Sequence, residues 1–544
     1  MPMSIHENSG SNVHNSFISR NCRELKPDVE EDECAQGVFE DLEDFCSDFF
    51  IDIDILQPED VYTLIDYVNT RDAWSKGKKN SILNAADKVI KAYGVSLFVK
   101  REIVFKSDLA APRLICNPSR CSKKRWNRFV FSLTKHIKPI YQFGTNYNKT
   151  SKNINLIWTS GMNRDQMGAT LKQQIEYIQE LDETVIYVSA DYSKYESTQI
   201  EPIMKNIRTM YGQMTCSIAR KELMDMAAAI TGKKTAYVNI DDCEQGLYKF
   251  FATRSSGDGS TTLGNTILGF LLGCFMLRAI PIAERKKVFL NQSGDDGLYV
   301  MPQSLFHYFD TSELEAMGMK LDIIPSLIMS EVDYNSSILL PVEVDGERRL
   351  NLSAKLGRLL CRCPFSIAKY DETNKRALQF QKAMAMVQEL RLWPGIRHFY
   401  SQVMDMYKEY SKIKIKLKYK DLVTLDNIKP TFETIEYISR RYNISASDYH
   451  LINEVFARFD PNIHNITCNT DYNQITHLIK KIVHIDCVVY KPDDEIRFED
   501  YFNELTMQQY YTHFSGSCTK KRNIKNMDVD PKKVNIPDQY KAQN

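Results

Sequence analysis

The tripeptide Gly294-Asp295-Asp296 lies between two apolar runs of β type, Val288-Phe289-Leu290-Asn291-Gln292-Ser293 and Gly297-Leu298-Tyr299-Val300-Met301. This pattern predicts strand, tight turn, strand. It limits the fold more than any other feature, because it puts two adjacent carboxylates at a hairpin tip with a glycine on each side. Like charges this close repel, and each resists ionisation. A hard divalent cation with oxygen ligands removes the conflict. Alone, the turn also reads as an ordinary solvated hairpin, since Asp-Gly is a common turn pair. Partners elsewhere in the chain decide between the two.

The first partner is Asp191. Thr184-Val185-Ile186-Tyr187-Val188-Ser189-Ala190 is rich in β-branched and apolar residues and reads as a buried strand that ends in Asp191-Tyr192-Ser193-Lys194-Tyr195-Glu196. A carboxylate at the C-terminal end of a buried strand stands where sheet-based sites are built. Asp191, Asp295 and Asp296 together would suit two Mg²⁺ or Mn²⁺ ions roughly 3.5–4 Å apart. The other role open to Asp191 is to cap the following helix.

Between these carboxylates runs Arg254-Ser255-Ser256-Gly257-Asp258-Gly259-Ser260-Thr261-Thr262-Leu263-Gly264-Asn265-Thr266. Its small residues favour a loop of close approach. The apolar run Ile267 to Leu277 reads as a buried helix, on which Thr261 and Asn265, four apart, share a face. Free N–H groups leading into a helix make a cradle for phosphate or backbone; a flexible linker with a capped helix is the plainer reading. Upstream, Lys100 to Arg128 holds Lys100, Arg101, Lys106, Arg113, Arg120, Lys123, Lys124, Arg125 and Arg128 among apolar residues of β type. Pro112 and Pro118 bracket a short extended run there. Such a strand can present guanidinium and ammonium groups to a triphosphate; a solvated basic face is the alternative.

The order of these segments carries a resemblance. Pro112-Arg113-Leu114-Ile115, then Asp191 with Glu196, then Ser256-Gly257 with Thr261 and Asn265, then Gly294-Asp295-Asp296, resembles the core of the RNA-dependent RNA polymerases of positive-strand RNA viruses. The Ser256 to Thr266 phrase is most similar to tombusvirus-like and nodavirus-like versions. The match runs from about Lys100 to Arg362, roughly half of the chain.

The resemblance implies an α+β right-hand polymerase fold of fingers, palm and thumb, with an antiparallel palm sheet and a largely helical thumb. It implies Asp191, Asp295 and Asp296 as ligands of two Mg²⁺ or Mn²⁺ ions. Lys320 would protonate pyrophosphate. Glu196 and Asn265, assisted by Thr261, would recognise the ribose 2′-hydroxyl. Ser256 and Gly257 would contact template or nucleotide, and Lys100, Lys106 and Arg113 would hold the triphosphate. Glu196 departs from the family's usual Asp and reaches one methylene further. The implied partners are template and nascent RNA, nucleoside triphosphates, and other viral or host replication proteins in host cytoplasm, at membrane-associated complexes reached through those partners. Two rival functions stay open: a reverse transcriptase, and an RNA-binding replication scaffold with an inactive core.

Residues 1–57 read as a disordered, acidic N-terminal segment, with Phe39, Leu42, Phe45, Phe49 and Phe50 giving its later part an amphipathic pattern. Residues 58–183 would be fingers with the basic segment. Residues 184–365 would be palm, with 198–253 partly fingers. Residues 366–515 would be a helical thumb and 516–544 a flexible tail. Asp333 to Val342 and Val344 to Cys361 would form a primer-grip hairpin and lead into the thumb.

Net charge excludes little. The chain has 70 basic and 70 acidic residues, so local patches decide contact with RNA, because salt screens over about 10 Å. Its 13 cysteines include no Cys-x-x-Cys pair, which points to reduced structural thiols and no zinc site. Met1 to Arg20 lacks the apolar centre of a signal peptide. The run Thr266 to Leu277 is too short to span a bilayer, so no transmembrane segment is expected.

Overall fold

The computed structural model describes residues 4–5, 32–49, 56–71, 75–85, 93–99, 103–104, 114–141, 153–231, 234–240, 243–250, 254, 257, 259–363, 371–413, 428–459 and 470–487. The fold is mixed α+β, with antiparallel and mixed sheets. Among the described residues no helix is long and apolar enough to cross a membrane.

The acidic N-terminal stretch contains an ordered helix, α1 (Glu33–Ser47). Asp32 caps it by accepting from the Cys34 and Ala35 N–H groups, and Ala35, Phe39, Leu42 and Cys46 are buried. The amphipathic pattern of this part of 1–57 takes helical form because its apolar stripe recurs every three or four residues and finds a core to cover. A 3₁₀ turn, Pro58–Asp60, and a short helix, Leu64–Asn69, which Thr63 caps, follow.

Strands β1 (Tyr93–Val99) and β2 (Leu114–Pro118) are antiparallel neighbours. They precede the basic amphipathic helix α2 (Arg120–Ile140). Strand β3 (Asn155–Trp158) and helix α3 (Arg164–Gln179) follow, then β4 (Val185–Tyr192) and the four-residue helix α4 (Tyr195–Thr198). Helices α5 (Glu201–Gln213) and α6 (Ser217–Thr231) lead to β5 (Lys234–Ile240) and β6 (Cys243–Phe250), which join β1 and β2 in a four-stranded sheet.

Helix α7 (Thr261–Met276) is buried along its length from Leu263 onward, as a helix apolar on every side must be. The expected hairpin is β7 (Phe289–Ser293) and β8 (Asp296–Pro302). Strand β9 (Leu321–Ser326) completes a five-stranded sheet in the order β9-β4-β8-β7-β3. All its neighbours are antiparallel except β3 and β7.

A second hairpin, β10 (Ser337–Val344) and β11 (Glu347–Ala354), turns at Asp345-Gly346, both with positive φ (52° and 83°). That is the backbone of a type I′ turn, for which Asp-Gly is suited. Beyond it the chain is helical: α8 (Leu356–Arg362), α9 (Glu372–Glu389), α10 (Pro394–Met406), α11 (Phe432–Tyr442), α12 (Ala446–Arg458) and α13 (Thr470–Cys487). Residues 516–544 lie outside the described residues.

Period-two alternation divides the cores. Ile186, Val188 and Ala190 of β4 face one way, with Leu290, Tyr299 and helix α7. Val185 and Tyr187 face the other way, with Leu298, Val300 and the Met167, Leu171, Ile175 and Ile178 stripe of α3. In β10, Leu339 joins this second core, while Ile338, Leu340, Val342 and Val344 cover the C-terminal helices. The β10–β11 hairpin is thus a wall shared by the central sheet and the helical C-terminal part.

Candidate active site

The same alternation aims the carboxylates. Asp191 falls on the face of Val185 and Tyr187, and Asp296 on the face of Leu298 and Val300. Asp191 is the direct cross-strand partner of Asp296. Side chains at such paired positions share a face, with Cβ atoms about 4.5–5.5 Å apart. The register of β9 puts Asp322 opposite Asp191 on the other side. Three carboxylates therefore stand in a row across three strands, with Asp295 in the turn beside them. Asp322 was not foreseen; an acid within a β run carries no sign of its cross-strand neighbour.

Burial raises the Asp191 carboxyl above the ordinary range, and the charges of Asp295 and then Asp322 raise it further, against the pull of Arg358. The Asp191 side chain still reaches solvent. Asp296 is pushed up to about 7, first by burial and then by Asp295 and Asp191, with Arg358 and Lys355 opposing. Lys355 is 3% exposed and ion-paired with Asp333, which also accepts from Arg441 at 2.7 Å. Arg358 is held by the Asp486 carbonyl at 2.9 Å and the Ser336 hydroxyl at 2.7 Å. Both cations have other partners, so the cluster keeps unmet negative charge.

Those donors are all carboxylate oxygens, which suit Mg²⁺ or Mn²⁺. Among the described residues no three His, Cys, Asp or Glu side chains are gathered into a finished metal cage. Lys320 pairs with Asp322 at 3.2 Å and is 65% exposed. Ser193 fixes this corner: its hydroxyl donates to Asp322 Oδ2 at 2.9 Å and its N–H to the Lys320 carbonyl at 2.9 Å.

The hairpin tip is held from behind. Gly294 has φ +68°, and Asp295 is not among the positive-φ residues, giving the φ signs of a type II′ turn. The buried Gly294 N–H donates to Thr266 Oγ1 at 2.9 Å, and Gln292 Nε2 donates to the Gly294 carbonyl at 2.9 Å. Helix α7 approaches closely because two positions lack a side chain. A Cβ at Gly269 would lie 2.6 Å from the Gln292 amide, and one at Gly273 would lie 2.5 Å from Leu290 Cδ2. Thr266→Val keeps the shape but orphans the Gly294 N–H. It is expected to cost about 1–3 kcal/mol of stability, read from the shift in urea midpoint at unchanged slope.

Asn265, beside Thr266, is 2% exposed. Its Oδ1 accepts from Gln199 Nε2 at 3.0 Å, and its carbonyl accepts from the Tyr195 hydroxyl at 3.5 Å. Within the protein Gln199 holds Asn265, and Glu196 is half-buried in α4. Gln199 in turn accepts from Arg254 Nε at 2.6 Å. Arg254 appeared in the loop but gave no sign of burial. Thr261 opens α7 and is half-buried. Gly257 has φ +99°, and a Cβ there would lie 3.0 Å from the Cys116 carbonyl, so this loop position lies against β2. Lys100, Lys106, Arg113 and Ser256 lie outside the described residues.

No protein-family model matches this chain, and no curated protein does.

Proposed function

We propose that this chain is an RNA-directed RNA polymerase of viral type, adding ribonucleotides to the 3′ end of RNA opposite a template. One observation carries the reading: Asp191 stands in direct register with Asp296, beside Asp295 at the adjoining tip. On this reading the five-stranded sheet is the palm and the β10–β11 hairpin is the primer grip. The helices from α9 onward are the thumb, and the sheet of β1, β2, β5 and β6 with α2 belongs to the fingers.

Asp191, Asp295 and Asp296 would hold two dications, which supply Lewis-acid activation of the attacking 3′-hydroxyl and charge neutralisation at the leaving pyrophosphate. Asp322 holds Lys320 one strand away, where its ammonium is available as a proton donor. Asn265, fixed to the residue that grips the hairpin, reads the sugar. Base pairing selects the nucleotide, while the protein supplies position and preorganised charge.

The purified chain, given a short RNA template with Mg²⁺ or Mn²⁺, is expected to incorporate ribonucleotides in preference to deoxyribonucleotides. Preferred use of deoxynucleotides would mark a reverse transcriptase. RNA binding without any extension would mark a scaffold.

A further inference from the structure

We infer that Arg254 and Gln199 are positioning residues that determine which atom of Asn265 faces the nucleotide, so that the sugar 2′ position is read as a hydrogen-bond acceptor. This rests on the polymerase reading and adds the polarity of recognition to it.

The inference begins at a group with no choice of role. An arginine in a protein is always protonated and always a donor. Arg254 is 3% exposed, and its Nε meets the Gln199 side chain at 2.6 Å. The Gln199 atom facing Arg254 must therefore be its oxygen. Gln199 is 0% exposed, so its other terminal atom, the NH₂, is turned to Asn265 at 3.0 Å. The Asn265 atom that receives it must be Oδ1. The chemistry of Arg254 thus fixes both amides, with no freedom to exchange oxygen and nitrogen.

What remains of Asn265 is Nδ2, which makes no hydrogen bond among the described residues. That nitrogen is not walled off from solvent, so it is open to an acceptor that a ligand brings. Arg254 cannot drift from its place. Its Nη1 donates to the carbonyl and the hydroxyl of Ser260, each at 3.1 Å. It lies where any Cβ on Gly264 would come within 2.3 Å of the guanidinium. Because Thr266 grips the Gly294 N–H, the donor on Asn265 keeps a fixed offset from the acidic pair. A 2′-oxygen meets the requirement through its lone pairs, a 2′-fluorine meets it weakly, and a 2′-hydrogen does not.

Substitutions that reverse the polarity test this. In Gln199→Glu the carboxylate accepts from Arg254 and also from Asn265, so Asn265 must turn about and present Oδ1. Asn265→Asp presents an acceptor without touching Gln199. The experiment measures kcat/KM on an RNA template, with the full chain, for CTP, 2′-fluoro-2′-deoxyCTP and 2′-deoxyCTP. The unaltered chain is expected to prefer the fluoro over the deoxy nucleotide by about tenfold. Both variants are expected to bring that ratio to about one, while still preferring CTP, whose hydroxyl can donate. Synthesis with an unchanged fluoro-to-deoxy ratio in both variants overturns the inference alone. Failure of the unaltered chain to incorporate any nucleotide overturns the polymerase reading and the inference with it.

Discussion

Asp191→Asn is expected to make no measurable RNA, a loss of at least about 10³-fold, or roughly 4 kcal/mol of transition-state stabilisation. The substitution keeps the shape and removes only charge, so strand β4 and its pairing with β8 and β9 should persist. Stability should move the other way. Asp191 is held above its ordinary range by burial and by the charges of Asp295 and Asp322, so neutralising it relieves repulsion in the metal-free protein. The thermal midpoint without metal is therefore expected to exceed that of the unaltered chain. Loss of activity with a gain in metal-free stability is what a charge cluster kept for function produces; a structural aspartate would show the reverse. Activity within tenfold of normal would remove Asp191 from the site. Asp322→Asn, at the same register but already engaged by Lys320 and Ser193, is expected to retain synthesis within about tenfold, since exposed pairs contribute little.

The second large effect is a linkage of metal and pH through Asp296. Its carboxyl moves from 3.8 to about 7 on folding, which corresponds to roughly 4 kcal/mol. Between these values the folded chain keeps a proton that the unfolded chain has released. Stability of the metal-free protein therefore falls as pH rises through that window, and the full penalty is present above about 7. Mg²⁺ competes with that proton. Its affinity is expected to drop about tenfold per pH unit below about 7, and near neutrality its binding should release protons into the buffer. Calorimetric titration in buffers of different ionisation enthalpy reads both. Mg²⁺ binding that is independent of pH between 5 and 8, or that releases no proton, would contradict the account; that window brackets the raised carboxyl.

Apolar runs and punctuation carried much of this architecture in plain view. Continuous apolar and β-branched runs marked β4 and β8, and Gly294 before the Asp pair marked the turn. The helices of the C-terminal part followed from their period, and the structure adds the caps Thr431 before α11 and Ser445 before α12. Register was not legible. Nothing in Leu321-Asp322-Ile323 says that Asp322 pairs with Asp191, because pairing is set by how the chain returns and not by the residue itself.

The contact of Asn265 with Gln199 was hidden for a related reason. Lys194 adopts a left-handed backbone, φ 53°, and the short helix that follows turns Ser197, Thr198 and Gln199 inward. Glu196 lies only three residues before Gln199, but that is enough to put a different side chain against Asn265. A polar residue buried by a distant partner looks, in a linear string, like any surface glutamine. Arg254 is the same case: a basic residue opening a Gly/Ser loop suggests solvent, yet it is enclosed by Gln199, Ser260 and Gly264.

The claim beneath all of this is that aspartates from two separate segments jointly bind dications. Counting Mn²⁺ bound per chain by electron paramagnetic resonance, with a non-hydrolysable nucleoside triphosphate and RNA present, tests it most directly. The expected result is two ions with the magnetic coupling of centres about 3.5–4 Å apart, lost together in Asp191→Asn and in Asp295→Asn. Mn²⁺ binding of equal stoichiometry and affinity in the unaltered chain and in both variants would contradict it.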